Sequence, residues 1–161
     1  MNAGKTRTRI KKEPIDRGKV NAAVKLTNFV DMKNVETGLI AKEKLRTIEI
    51  EMLVDTGATM LTLGEDIAEE LGIEKEKEIY ITLADGSIQK RFKGRGVLVE
   101  IGERDCVTDC VILERGIKPL LGQIPLKEMD LVVDCKNKQL IPNPKSFEGK
   151  VVVDLKINEF K

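Results

Sequence analysis

The sequence predicts a mostly β domain, a barrel or sandwich of many short strands with one or two short helices. Three observations predict it. Short apolar runs of period two recur along the chain and are bounded by Gly, Asn, Asp and Pro. Only two segments carry helical signals. Strands do not alternate with long helices, and there is no Gly-x-Gly-x-x-Gly, so nucleotide-binding α/β folds drop out. The 161 residues suffice for a single domain with its own core.

Residues 1–18 lack apolar periodicity and read as a basic, disordered tail, leaving 19–161 as the domain. Residues 20–30 form the first strand, with Val24, Leu26 and Val30 on one face. Residues 31–44, which hold Asn34 and Gly38, read as a turn or long hairpin connection. In the strand 45–54, Ile48 and Ile50 alternate with Glu49 and Glu51, giving one wet face that closes at Met52-Leu53-Val54. A second β-rich run, 59–63, precedes a helix over 65–72. That helix has Ile67, Ala68 and Leu71 on one face, Glu65 and Asp66 at its positive end and Gly72 as its stop.

Residues 78–83 alternate as a strand. Asp85-Gly86 is a hairpin signal, and residues 87–92 return. Strands follow at 94–101 and 106–113, around a turn at Gly102-Glu103. Leu120-Leu121 is a short strand ending at Gly122, and 124–129 is a brief helix that tolerates Pro125 in its first turn. Residues 131–134 and 139–141 bracket a Lys136-Asn137-Lys138 turn, Pro142-Asn143-Pro144 breaks the chain, and 151–158 alternates as a last strand.

Lys and Arg number 28 against 27 Asp and Glu, but this balance hides an asymmetry. Residues 1–19 carry a net +5, so the remainder of this +1 chain carries −4. A basic tail suits nucleic acid or an acidic partner, although the plainer reading, a solvated end, is preferred. With aromatics at 3% and no Trp, there is no evident platform for stacking bases, and nucleic acid is not the expected partner. No apolar run approaches the roughly 20 residues of a membrane span, and no apolar block follows the basic start, so no membrane is expected and the expected location is cytoplasmic.

The chain has no histidine, which removes Ser-His-Asp and Cys-His catalysis and His-rich metal sites. Cys106, Cys110 and Cys135 are too few for a closed zinc site in one chain and read as free, buried or half-buried thiols. No metal and no cofactor is expected.

What remains is carboxylate chemistry. The strand ending at Val54 opens abruptly into Asp55-Thr56-Gly57-Ala58-Thr59. This puts a carboxylate at the mouth of a buried strand, with a short hydroxyl beside it and a glycine that permits close approach. Taken alone, such a triplet is as readily a simple turn. Asp134 has no Thr-Gly after it and reads as a turn former, Asp85 belongs to a hairpin, and Asp130 only separates helix from strand.

Asp55-Thr56-Gly57-Ala58, the later Leu120-Leu121-Gly122, Leu131-Val132-Val133-Asp134 beyond it and the intervening Leu83-Ala84-Asp85-Gly86-Ser87 occur in an order that resembles the retropepsin-like aspartic proteases, in their prokaryotic, single-motif branch. The resemblance covers about residues 45–142. It implies a closed β-barrel of the acid protease fold, one lobe per chain, and a homodimer in which each copy gives one Asp55 to a catalytic pair. Thr56 would hydrogen-bond across the dimer. Gly57, Ala58 and Thr59 would line the substrate cleft, and Ala84, Asp85, Gly86 and Ser87 would form a flap over an extended peptide or protein substrate. Segments 20–30 and 151–160 would interleave between copies or pair within one chain. The sequence departs from viral members at Thr59 and Gln123, which stand where those carry an ion pair; two neutral residues there allow a hydrogen bond instead. The implied activity is aspartic endopeptidase. The alternatives are a non-catalytic dimeric module that binds peptides or proteins in the same cleft, and a nucleic-acid-associated protein using the tail.

Overall fold

In a computed structural model, the structure describes residues 18–155 and 157. The expected tail, apart from Gly18, and the end of the expected last strand lie outside the described residues. The chain folds as β1 (Val20–Asn28), α1 (Phe29–Glu36), a single 3₁₀ turn (Lys42–Lys44), β2 (Thr47–Val54), β3 (Leu61–Gly64), α2 (Glu65–Leu71), β4 (Lys77–Thr82), β5 (Ile88–Ile101), β6 (Arg104–Leu113), β7 (Leu120–Leu121), α3 (Gln123–Glu128), β8 (Leu131–Asp134) and β9 (Gln139–Pro142).

The class is mostly β, as expected, with three short helices among the described residues where one or two were expected. Seven strands pair in the order β1-β2-β7-β3-β6-β5-β4, and β1 also pairs with β5, so the ladder returns to its start as a ring with β4 outside it. Of the expected closed barrel, the structure shows a ring-like sheet and no more. β8 and β9 form a separate hairpin.

The period-two pattern dictates which side chains fill the ring. Val24 and Leu26 of β1 face inward with Met52 of β2, Val97 and Val99 of β5, and Cys106, Cys110 and Ile112 of β6. Glu49 and Glu51 of β2 stay in water beside half-buried Ile48 and Ile50. β3 is buried throughout because it lies between β6, which it meets in parallel, and β7, which it meets antiparallel. Leu71, Leu126 and Met129 close the core from the helical segments. Gly72, at φ 67°, ends α2 as its position predicts. Residues 88–101 form one strand instead of two. A bulge between Gly94 and Val97, with Gly96 at φ 82°, bends it so that its first half pairs with β4 and its second half with β1.

Two further expectations fail. Residues 31–44 are not an open connection: Asn28 ends β1 and caps α1, its Oδ1 accepting from the Asp31 N–H at 3.0 Å. Residues 29–36 carry no apolar stripe to announce a helix. What fixes it is Asp31, buried to 6% exposure and gripped by Arg46 through Nε (2.8 Å), Nη2 (2.9 Å) and its main-chain N–H (3.1 Å). The Asn28 amide meanwhile donates to the Leu71 carbonyl at 2.9 Å, tying α1 to the end of α2. The second failure is the last strand. Residues 151–155 pair with no strand, and Val153 and Leu155 are each 70% exposed. Their alternation joins none of the described strands.

The Arg46 guanidinium holds the Asp31 carboxyl below its ordinary 3.8. A depressed folded value means that the pair stabilises fully above the unfolded value, and that this contribution is lost as pH falls through about 4 and below. Water screens half-exposed Arg46, so Asp31→Asn should cost about 1–2 kcal/mol at pH 7. The variant should also lose less stability than the parent between about pH 5 and 3, as measured by urea unfolding across that range.

Candidate active site

The Asp55 loop is built by two stretches distant in sequence, the end of β2 with the turn after it, and β7 with the start of α3. β2 delivers Asp55, its last pairs being Leu53 opposite Leu120 and Val54 opposite Leu121 of β7 in parallel. The Asp55 N–H continues the ladder to the Leu121 carbonyl at 3.0 Å. Beyond Asp55 the chain turns: the Ala58 N–H donates to the Asp55 carbonyl at 3.1 Å, and the Gly57 N–H donates to Asp55 Oδ1 at 2.9 Å. The carboxylate is therefore aimed by the glycine two residues after it. A Cβ on Gly57 would sit 3.1 Å from that same oxygen.

The start of α3 locks the loop from the other side. The Gln123 and Ile124 N–H groups, free at a helix start, donate to the Ala58 and Thr59 carbonyls, each at 2.9 Å. Gln123 Nε2 donates to the Thr56 carbonyl at 2.5 Å. This contact requires Gly122. A Cβ there would lie 2.5 Å from the Met60 carbonyl oxygen and 2.8 Å from that of Ala58, both main chain and unable to yield. The Leu-Leu-Gly motif is thus a strand end that fills the core with Leu121 and then lets one backbone press on another.

Asp55 and Ala58 are half-buried, while Thr56, Gly57 and Thr59 are open to solvent. One chain supplies one carboxylate on one exposed wall. The side-chain hydrogen bond expected between Thr59 and Gln123 is not the one formed: the Gln123 amide donates to the Thr56 carbonyl instead.

Ala84, Asp85, Gly86 and Ser87 sit together at the exposed tip of the β4–β5 hairpin. The Leu83 N–H donates to the Ser87 carbonyl and the Gly86 N–H to the Leu83 carbonyl, each at 2.9 Å, with Gly86 at φ 81°. The Ser87 hydroxyl, then its N–H, hold the Asp85 carboxyl below its ordinary range, so Asp85 is a tied-down turn residue. Among the described residues no hydrogen bond joins this tip to the Asp55 loop.

Asp134 behaves as the turn former expected, accepting from the N–H groups of Lys136 and Asn137, each at 3.1 Å. Asp130 does more than separate helix from strand. At φ 52° its carboxylate takes Asn143 Nδ2 (2.9 Å), the Ser146 hydroxyl (3.2 Å) and the Val152 N–H (3.2 Å). These bonds, Asn143 first, lower its pKa. Buried Arg104 reinforces the anchor through the Met129 carbonyl (2.8 Å), Ser146 Oγ (3.1 Å) and the Gly149 carbonyl (3.3 Å). No local signal announces this clamp, because its partners lie 13–45 residues away in sequence. Burial pushes the Cys106 and Cys110 thiols up to about 12, so neither serves as a nucleophile, and Cys135 is exposed. Among the described residues no group of three or more Cys, Asp or Glu is placed to hold a metal ion. No helix among them is long and apolar enough to cross a membrane.

A strand-borne Asp-Thr-Gly turn braced by a later apolar-apolar-Gly strand end is the arrangement of an aspartyl protease lobe. The sequence profile of the family described as "gag-polyprotein putative aspartyl protease" matches residues 42–128, more than half the chain and the whole of this arrangement. The chain belongs to that retropepsin-like family. No curated protein matches the sequence significantly.

Gly122→Ala should keep the motif's chemistry and break its packing. We expect a loss of about 1–3 kcal/mol, seen as a fall in Tm of roughly 2–4 °C per kcal/mol in a thermal melt.

Proposed function

We propose that the protein is an aspartic endopeptidase that cuts peptide bonds in extended peptides or proteins, working as a homodimer. The observation that carries this reading is the Asp55 carboxylate, aimed by the Gly57 N–H on a solvent-open loop, in a family whose members are aspartyl proteases. The chain has no histidine and only one Asp-Thr-Gly. A single carboxylate has no partner to complement it. In a two-fold dimer each Asp55 meets its own copy, and two carboxylates about 3 Å apart hold one proton between them, since both cannot ionise cheaply. The ionised member takes a proton from an attacking water, and the protonated member donates to the carbonyl oxygen of the peptide bond, giving a neutral tetrahedral adduct. Return of a proton to the leaving nitrogen then completes cleavage. Thr56 stiffens the paired loops across the axis, Gly57, Ala58 and Thr59 meet the substrate main chain, and the hairpin tip at Ala84–Ser87 covers it. Free thiols, with Cys135 in the open, suit a reducing compartment, and the cytoplasm is the proposed location.

The dimer contact is proposed at the chain's end. β1, one of the two segments expected to interleave, is spent within the chain on β2 and β5. Residues 151–155 and 157 instead show an unpaired apolar row, with Val153, Leu155 and Ile157 at 55–70% exposure, held at its base by Asp130 and Arg104.

Asp55→Asn should fold as the parent does and lose cleavage of a peptide library by on the order of 10³-fold or more. Undiminished cleavage by that variant would sink the reading of Asp55 as the catalytic acid, and a parent that binds the library without cutting it would leave a peptide-binding module instead. Deleting residues 151–161 should raise the dimer dissociation constant at least tenfold in sedimentation equilibrium, with unchanged circular dichroism. An unchanged constant would move the interface elsewhere.

A further inference from the structure

We infer that Gln123 is a positioning residue for the Asp55 carboxylate, acting through one peptide unit. The Thr56 carbonyl and the Gly57 N–H are the two ends of a single planar amide. At one end Gln123 Nε2 donates to the oxygen at 2.5 Å; at the other the N–H donates to Asp55 Oδ1 at 2.9 Å. The three groups form a chain: side-chain amide, peptide unit, carboxylate. Each bond polarises the next in the same sense, so donation into the carbonyl strengthens the N–H that holds the acid.

The peptide unit needs this hold. It lies between exposed Thr56 and exposed Gly57, and a glycine on one side offers little resistance to a flip of the plane. The main-chain bonds from α3 reach the carbonyls of Ala58 and Thr59, beyond the unit, while the Ala58 N–H returns to the Asp55 carbonyl, before it. Between those fixed points, Gln123 supplies the bond that keeps the Thr56 carbonyl turned outward and the Gly57 N–H turned toward the acid. Gln123 is itself exposed, at the first position of α3, and its main-chain N–H is already engaged with Ala58. Its side chain is therefore free of any packing duty that would explain its placement.

The role demands a donor of this length. An ionised glutamate is almost isosteric but only accepts, whereas a protonated one regains an O–H that can donate to the Thr56 carbonyl. Methionine matches the length and never donates. The kinetic consequence rests on the peptidase reading; the structural one does not.

Two readouts on the full-length dimer test the inference. In ¹H–¹⁵N spectra, Gln123→Met should move the Gly57 amide proton upfield, as Asp55→Asn does, because its bond to the carboxylate is weakened. In peptide cleavage, Gln123→Met should lower kcat by on the order of tenfold at every pH with KM changed less than about twofold, the signature of a displaced reacting group. Gln123→Glu should match it near neutral pH and approach the parent's kcat as pH falls through the ordinary glutamate range, about 4.3. A Gly57 resonance unmoved in Gln123→Met overturns the inference. So does a moved resonance with parental kcat, or a Gln123→Glu deficit that does not narrow in acid. If the parent cleaves nothing, the peptidase reading fails by itself, and the Gly57 resonance still decides whether Gln123 holds the loop.

Discussion

The structure depends on one close contact, the main chain at Gly122 pressed against the carbonyls of Ala58 and Met60. The links from the Asp55 loop to β7 and α3 meet at it. β7 must run parallel to β2 for Leu121 to receive the Asp55 N–H, and α3 must begin at Gln123 for its free N–H groups to meet Ala58 and Thr59. A side chain at position 122 would hold the two backbones apart and cut these bonds together. The ring of strands serves this contact. β7 is two residues long, yet it is paired on both sides, which a strand so short needs if it is to hold a fixed place.

The acid is consequently held by main chain more than by other charged groups. Asp55 receives the Gly57 N–H, Thr56 gives its carbonyl to a neutral amide, and the loop's remaining bonds are peptide to peptide. Among the described residues the ion pairs lie elsewhere, among them Asp31 with Arg46 at the α1 junction, Lys75 with Glu65 at the start of α2, and Lys93 with Asp109 across β5 and β6. This main-chain hold explains how Thr59 and Gln123 can both be neutral: the link between loop and helix runs through the Thr56 carbonyl and needs no opposite charges.

Much of the ring was legible in residue patterns. Ile48, Ile50 and Met52 alternating with glutamates, the Asp85-Gly86 turn, and Ile67, Ala68 and Leu71 before Gly72 each describe a local preference that the tertiary structure also satisfies. Local and global preferences disagree at α1, where Phe29–Glu36 shows no stripe and exists because Asp31 reaches Arg46 fifteen residues later. They disagree again at residues 151–155, whose period-two pattern is real but pairs with none of the described strands.

The sequence by itself determined the class of fold, the strand that ends at Asp55, the Asp-Thr-Gly motif and the absence of any histidine chemistry, because each is a matter of periodicity or residue type over a few neighbours. Only the tertiary structure decided that Gly122 is a backbone contact, that Gln123 grips the Thr56 carbonyl, and that Asp130 and Arg104 anchor the chain's end. These depend on groups brought within hydrogen-bond distance across 13–67 residues of chain. No local pattern records such distances, since they follow from how the strands close on one another.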